Sequence, residues 1–196
     1  MREVVVATTN LGKLREIRRI LRDVPITVST LADFSRVAAP EETGASFGEN
    51  AREKAIYYSC ATGKVTLAED SGFEVDALNR EPGIYSARYL REDATYDERF
   101  NDIYRRLRES GGADRSARFV CAVAVAKGAE IVFETSATVE GLLAPAPAGP
   151  NGFGYDPIFL YPPYRKTFGE VSEEEKIAVS HRGQAMRAFR EYLLRT

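Results

Sequence analysis

The sequence reads Thr66-Leu67-Ala68-Glu69-Asp70-Ser71-Gly72 where a short apolar run meets two carboxylates. The run has β character and Ser71-Gly72 favours a turn, so the pattern predicts that Glu69 and Asp70 lie at the exit of a buried strand. Ligands of α/β proteins bind at such strand ends. A solvated acidic turn is the alternative, because acidic residues are mostly exposed.

The N-terminal segment has the pattern of a strand followed by a helix. Val4-Val5-Val6-Ala7 is typical of a strand buried on both faces, and Thr8-Thr9-Asn10 ends it. Charged residues, Glu16 among them, fill the predicted polar face of the helix that follows. Its apolar face consists of residues at helical spacing before Pro25, namely Leu11, Leu14, Ile17 and Leu21.

Later segments predict three more helices and a hairpin. Capping-box patterns at Ser46 and Thr95 predict helices to about Thr62 and through Arg108. A last helix is expected from Arg182 to Leu194. Two runs rich in Val, Phe and small residues, Phe119–Ala126 and Glu130–Thr138, are close enough for a hairpin. The fold class is therefore α/β, with a mixed twisted sheet flanked by helices.

Composition restricts the classes of partner. A chain of 196 residues fits one domain or two fused lobes. Its net charge of -2 argues against binding to nucleic acid polymers or anionic membranes. Cys60 and Cys121 match no metal spacing, and the apolar run near the N-terminus is too short for a signal or membrane segment. We expect a soluble, cytoplasmic protein without a membrane partner.

Three segments have the composition of ligand sites. Thr8 to Lys13 lies at a helix start, where backbone N–H groups favour phosphate, although a plain capped helix explains it equally well. Gly149 to Pro157 alternates glycine with aromatic residues that could stack on a nucleobase, or it forms a tight turn with core aromatics. Ser180-His181-Arg182 either presents donors to a 6-oxo purine or caps a helix with His181 and Arg182 in solvent.

Scattered charges could complete a polyphosphate site. Lys54, Lys166 and Lys176 would neutralise a polyphosphate if the fold gathers them around one cleft. Asp70, with Glu69 or Glu42, could hold a divalent cation, because Mg²⁺ uses one or two carboxylates together with substrate phosphates. No spacing in the sequence decides between these carboxylates.

Taken together, these segments resemble the inosine triphosphate pyrophosphatase family, also called Ham1-like, and most closely its bacterial dITP/XTP pyrophosphatase branch. The resemblance covers almost the whole chain. It rests on six segments: Ala7 to Lys13, Glu42 to Gly44 with Phe47 and Glu49 to Ala51, Ala68 to Gly72, Pro82 to Arg88, Gly152 to Phe159 and Ser180 to Gly183. It implies that residues 1–196 form a single pyrophosphatase domain with two lobes around a nucleotide-binding cleft, assembled as a homodimer.

The implied reaction is the Mg²⁺-dependent hydrolysis of ITP, dITP or XTP to the monophosphate and pyrophosphate. This reaction would remove deaminated purines from the nucleotide pool. The resemblance makes Asp70 the catalytic proton acceptor and a metal ligand, with Glu42 as a second candidate ligand. It assigns substrate contacts to three groups. The phosphate group is Thr8, Thr9, Asn10, Leu11, Gly12, Lys13, Lys54 and Lys176. The base and sugar group is Phe153, Gly154, Tyr155 and Asp156. His181 and Arg182 read the purine edge, and Ser71 also contacts substrate.

Other functions compete with this interpretation. A Maf-type pyrophosphatase would prefer pyrimidine or modified nucleotides, and the His181-Arg182 and Phe153–Asp156 segments argue against it. A regulatory module that binds nucleotide without turnover is another possibility, although Asp70 and the lysines favour an enzyme. An RNA-binding protein would need a basic surface or an RRM-like aromatic motif, and the sequence has neither.

Overall fold

The computed structural model describes residues 3–34 and 37–195. Its strands are β1 (Glu3–Val6), β2 (Thr27–Thr30), β3 (Thr66–Val75), β4 (Glu81–Pro82), β5 (Ser116–Lys127), β6 (Glu130–Leu143), β7 (Phe159–Tyr161) and β8 (Lys166–Thr167). Its α-helices are α1 (Leu11–Leu21), α2 (Phe47–Thr62), α3 (Tyr96–Glu109), α4 (Glu173–Val179) and α5 (His181–Arg195).

The strands form a mixed sheet, in the order β2-β1-β3-β5-β6-β7-β8, with β4 paired to β3. Strand β1 pairs in parallel with β2 and β3, whereas β7 is antiparallel to β6 and β8. Strands β5 and β6 are neighbours joined only by Gly128 and Ala129, so they form the predicted antiparallel hairpin. The α/β prediction with a mixed sheet is confirmed.

The chain divides into two compact units, each with its own apolar core. The first unit consists of Met1–Asp70, Cys121–Ala137 and His181–Thr196. Its core joins β1, α1 and α5 through such residues as Val4, Ile17 and Phe189, which are fully buried.

The second unit consists of Ser71–Val120 and Thr138–Ser180. Its core is dominated by aromatic side chains, including Phe73, Phe119 and Phe159. The rings of Phe119 and Phe159 lie 4.9 Å apart in an edge-to-face arrangement, which is a favoured geometry for aromatic pairs.

The helix predictions hold because side chains cap the helix starts. Ser46 accepts a hydrogen bond from the Glu49 amide at the start of α2, and Thr95 forms a full capping box with Glu98 at the start of α3. The final predicted helix begins one residue earlier, at His181. Helix α4 was not predicted, although Ser172 and Glu175 form a capping box there too.

Three sequence predictions are wrong. Ser71 and Gly72 do not end the strand, since β3 continues to Val75 because Phe73 and Val75 supply further buried apolar surface. Leu11 is 79% exposed because it is the first residue of α1, whereas Glu16, assigned to the polar face, is buried in an ion pair.

In the parts of the chain that the structure describes, no helix is long and apolar enough to cross a membrane.

Candidate active site

The loop between β1 and α1 is a capped helix start. The Asn10 side chain accepts a hydrogen bond from the Lys13 amide (3.1 Å), and the Asn10 amide donates to Thr8 Oγ1 (3.2 Å). Thr9 and Asn10 are exposed, while Thr8, Gly12 and Lys13 are partly exposed. The segment therefore presents the positive end of the α1 dipole to solvent, a setting that favours anions.

A buried network of charges links this helix to β3 and α5. Glu69 Oε1 lies 2.7 Å from Lys13 Nζ, and Glu69 Oε2 accepts a hydrogen bond from Arg182 Nε at 2.7 Å. Arg182 Nη1 also donates to Glu16 Oε2 at 2.7 Å. Two carboxylates thus balance two cations, which is the condition under which charged groups tolerate burial.

Electrostatics in this network keep Glu69 ionised. Burial alone would raise the pKa of Glu69, but the charges of Arg182 and Lys13 hold it well below its usual range. The Cys121 thiol donates to Glu69 Oε2 at 3.2 Å, and burial together with that negative charge raises the pKa of Cys121 well above its ordinary value. Glu69 therefore acts as an internal counter-charge for its neighbours.

The second carboxylate of the opening motif belongs to a separate cluster. Lys54 Nζ donates to Glu42 Oε1 at 2.7 Å and to Asp70 Oδ1 at 2.9 Å, so one ammonium lies between two carboxylates. The other oxygen of Asp70 accepts a hydrogen bond from Asn50 Nδ2 at 3.0 Å. Asp70 and Glu42 are thus brought together, although 28 residues separate them in sequence.

Burial tunes the basicity of this pair. Desolvation raises the pKa of Asp70, and Lys54 and Asn50 offset part of that effect. Burial opposes the charge of Lys54, but Asp70 and Glu42 outweigh it and raise the pKa of the ammonium. A carboxylate with a raised pKa accepts a proton more readily than an exposed aspartate.

The donor chemistry of this cluster fits a hard divalent cation. Glu42 and Asp70 each direct an oxygen at the Lys54 ammonium, so both already converge on one positive charge. Among the described residues, no group of three or more His, Cys, Asp or Glu side chains is placed to hold a metal ion. A two-carboxylate site agrees with the habit of Mg²⁺, which takes its other ligands from water and substrate phosphates.

In the second unit, the Gly149–Pro157 segment is organised around Asp156. Asp156 Oδ2 accepts hydrogen bonds from the Phe153 amide at 2.7 Å and from Lys176 Nζ at 2.6 Å. Gly152 has a φ of +74°, and a Cβ there would lie 2.2 Å from Asp156 Oδ2, so only glycine fits. The Lys176 ammonium also sits 4.3 Å from the centre of the half-buried Phe153 ring.

Tyr155 differs from Phe153 in its surroundings. Its ring stacks on Phe73 at 5.1 Å, and its hydroxyl donates to the Ser86 carbonyl oxygen at 2.8 Å. Burial raises the pKa of Tyr155, and the residue is 4% exposed. Tyr155 is therefore a core aromatic residue, as the alternative interpretation of this segment predicted. Phe153 is only half-buried, so part of its ring is exposed.

Two solvent-facing alternatives are wrong. Glu69 and Asp70 are buried within a strand, so they do not form a solvated acidic turn. His181 and Arg182 begin α5 but are 3% and 2% exposed, so they do not face solvent. The structure gathers Lys13, Glu69 and Arg182 in one cluster and separates them from the cluster of Glu42, Lys54 and Asp70.

Sequence reasoning missed two residues of the first unit. Glu16 looked like surface charge because it stands among arginines, and only the fold reveals its partner, Arg182. Asn50 was part of the Glu49-Asn50-Ala51 segment, yet nothing in the sequence indicated a partner for its side chain. Its position on the buried side of α2 was the available signal.

The fold and its buried charges define a mixed α/β protein that has carboxylates beside lysines in one unit and a glycine-aromatic segment in the other. Comparison with known proteins assigns the family: the Ham1 family model matches residues 4–192, and the chain belongs to that family.

Relatives cover nearly the whole chain. The protein is 48% identical over 191 residues to a dITP/XTP pyrophosphatase of Thermus thermophilus, covering 96% of this chain and 90% of that one. It is 46% identical to a dITP/XTP pyrophosphatase of Gloeobacter violaceus, covering 95% and 92%. The solved structure of a HAM1 protein from Coxiella burnetii matches with a TM-score of 0.93 and 40% identity, covering 100% of both chains.

Proposed function

We propose that this protein hydrolyses deaminated purine nucleoside triphosphates, ITP, dITP and XTP, to the monophosphate and pyrophosphate. The observation that carries the proposal is the convergence of Asp70 and Glu42 on Lys54, a buried carboxylate pair beside a cation. Two relatives that match nearly the full chain bear the name dITP/XTP pyrophosphatase, which supports this choice of substrate.

Phosphate binding is assigned to the first unit. The Thr8–Lys13 segment would supply backbone N–H groups, while Lys13 and Lys54 would supply positive charge. Their side chains are 20% and 14% exposed, whereas that of Lys176 is 3% exposed and is neutralised by Asp156. Lys176 is therefore proposed to support the segment that presents Phe153, in place of the predicted phosphate contact.

In the proposed reaction, Asp70 orients the attacking water and accepts its proton. Asp70 and Glu42 would hold Mg²⁺, which when bound offsets charge on the phosphate oxygens. Lys54 would neutralise further charge, and Ser71, next in the chain after Asp70, remains a predicted substrate contact. Positioning and electrostatics supply most of the acceleration in phosphoryl chemistry, and these residues are suited to both.

Base recognition is assigned to two sets of residues. Phe153 and Gly154 would contact the base, with Asp156 and Lys176 fixing the Phe153 ring and Tyr155 anchoring the segment to the core. The start of α5, with His181 and Arg182, remains the proposed reader of the 6-oxo edge. Arg182 is as buried as Lys176 and is neutralised by Glu16 and Glu69, so it would fix the donors that meet the base, and a base without the matching acceptor would bind more weakly because those donors would stay unpaired.

A nucleotide panel tests the function. Purified protein is incubated with ITP, dITP, XTP, ATP and GTP, with and without Mg²⁺, and the products are separated as monophosphate, diphosphate, pyrophosphate and phosphate. We expect monophosphate and pyrophosphate from the first three, dependent on Mg²⁺. Release of inorganic phosphate, or equal turnover of ATP, contradicts the proposal.

We also propose that the protein acts on the cytoplasmic nucleotide pool and assembles as a homodimer. Light scattering after size-exclusion chromatography gives the mass of the assembly directly. A mass near 21.7 kDa, that of one chain, contradicts the dimer.

A further inference from the structure

The Asn50 side chain touches both segments that carry the proposed metal ligands. Asn50 lies in the first turn of α2 and is 0% exposed. Its Nδ2 donates to Asp70 Oδ2 at 3.0 Å, and its Oδ1 accepts from the Gly44 amide at 2.9 Å. One carboxamide thus joins β3 to the segment in which Glu42 stands two residues before Gly44.

The contact at Gly44 is close enough to fix that segment. A Cβ at Gly44 would lie 2.6 Å from Asn50 Oδ1 and 2.9 Å from the Asn50 amide nitrogen. These distances are shorter than real Cβ contacts, so any larger residue would push the segment away from α2. Glu49 adds a second tie to that segment, because the Ala45 amide donates a hydrogen bond to Glu49 Oε2 at 2.7 Å.

We propose that Asn50 is a positioning residue that holds Asp70 and the Glu42 segment in the geometry needed to share a divalent cation. This inference rests on the proposed function. Asp70 has one oxygen on Lys54 and the other on Asn50, so the plane of its carboxylate is fixed from both sides. Only an amide of this length supplies a donor to Asp70 and an acceptor to Gly44 at once.

The role explains why a polar residue stands on the buried face of α2, beside Phe47 and Ala51. A buried carboxamide whose donor and acceptor are both hydrogen-bonded fixes the orientation of its partners. Leaving either group unpaired lowers the stability of the folded protein. Partners that orient metal ligands typically change metal affinity or activity by roughly 10–100-fold when removed. We expect an effect of that order for Asn50.

The test compares Asn50→Leu with the matched control Glu49→Ala. Asn50→Leu keeps the size of the side chain and removes both hydrogen bonds. Glu49→Ala loosens the same segment and leaves the contact with Asp70 in place. Calorimetry measures Mg²⁺ binding to each protein saturated with the non-hydrolysable α,β-methylene analogue of ITP, and circular dichroism checks folding at the same temperature.

We expect Mg²⁺ affinity to fall roughly 10–100-fold in Asn50→Leu and less than threefold in Glu49→Ala. The nucleotide analogue should still bind to both. Equal Mg²⁺ affinity in Asn50→Leu and wild type overturns the inference, as does an equal loss in the two variants.

Gly44→Ala decides the case if Asn50→Leu does not fold. The added Cβ pushes the Glu42 segment and the Asn50 carboxamide apart, so Mg²⁺ affinity should again fall by roughly tenfold or more. Wild-type affinity in Gly44→Ala contradicts the role. The two failures are distinguishable: a wild type that releases no pyrophosphate from ITP refutes the proposed function, whereas an active wild type with unaffected variants refutes only the role of Asn50.

Discussion

The two units hold their polar groups in different ways. In the first, three buried or partly buried cations, Lys13, Lys54 and Arg182, each contact a carboxylate through a short ion pair. In the second, the buried pair of Lys176 with Asp156 contacts the half-buried ring of Phe153, and the partly buried Arg118 pairs with Asp76. The first unit thus concentrates short ion pairs around Glu69 and Asp70, whereas the second unit places a buried ammonium against an aromatic ring.

The largest expected effect is at Asp70. Asp70→Asn keeps the shape of the side chain but cannot accept the proton of water, so kcat for ITP should fall by roughly 10²–10⁴-fold. The rate of pyrophosphate release from ITP measures kcat, and the variant should still bind the α,β-methylene analogue of ITP. Tyr164→Leu, at an exposed position of the second unit, serves as the comparison and should leave kcat near wild type. A variant Asp70→Asn with wild-type kcat rules out the catalytic assignment.

The next effect is on stability, at Glu69. Glu69→Gln removes one carboxylate charge that pairs with the buried Arg182, and breaking a buried ion pair costs about 3–5 kcal/mol. Chemical denaturation at neutral pH should show a loss in free energy of unfolding of about that size. A loss below about 1 kcal/mol, the level of an exposed pair, would contradict the network.

The difference in free energy of unfolding between wild type and Glu69→Gln should become smaller as the pH falls. Because the pKa of Glu69 is lower in the folded protein, unfolding takes up a proton once the pH drops below the unfolded value of about 4.3. The stabilisation by Glu69 is therefore complete above that pH and declines as the pH falls toward the folded pKa. Denaturation of both proteins from pH 7 down to pH 3 should show the gap narrowing, and a gap that widens on acidification contradicts the assignment.

The sequence predicted elements better than partners. A strand run or a helix cap depends on residues only a few positions apart. The strand predicted from Val4–Ala7 and the helices predicted from the caps at Ser46 and Thr95 are therefore all present in the structure. Arg182 and Glu16 are 166 residues apart, so no local rule could pair them. The end of β3 was mispredicted for a similar reason. The strand continues through Gly72 because Phe73 and Val75 pack into the core of the second unit, and that packing involves residues distant in sequence.

A smaller effect is expected in the second unit, at Phe153. Phe153→Leu retains apolar bulk but removes the ring, and a base stacked on an aromatic side chain gains about 1–3 kcal/mol. KM for ITP should rise correspondingly, with less change in kcat. Tyr164→Leu, an aromatic change at a partly exposed position of the same unit, is the control and should leave KM near wild type. Equal shifts in both variants would mean that Phe153 does not meet the base.

The smallest effect sharpens the contrast within the first unit. Arg52 pairs with Glu134 at 2.6 Å, as short as the buried pairs, but the two side chains are 47% and 52% exposed. Exposed pairs contribute about 0–1 kcal/mol because water and salt screen the charges. Arg52→Gln should therefore lower the free energy of unfolding far less than Glu69→Gln does, and the change should shrink further in 1 M salt. If Arg52→Gln destabilised the protein as much as Glu69→Gln, distance rather than burial would govern these pairs.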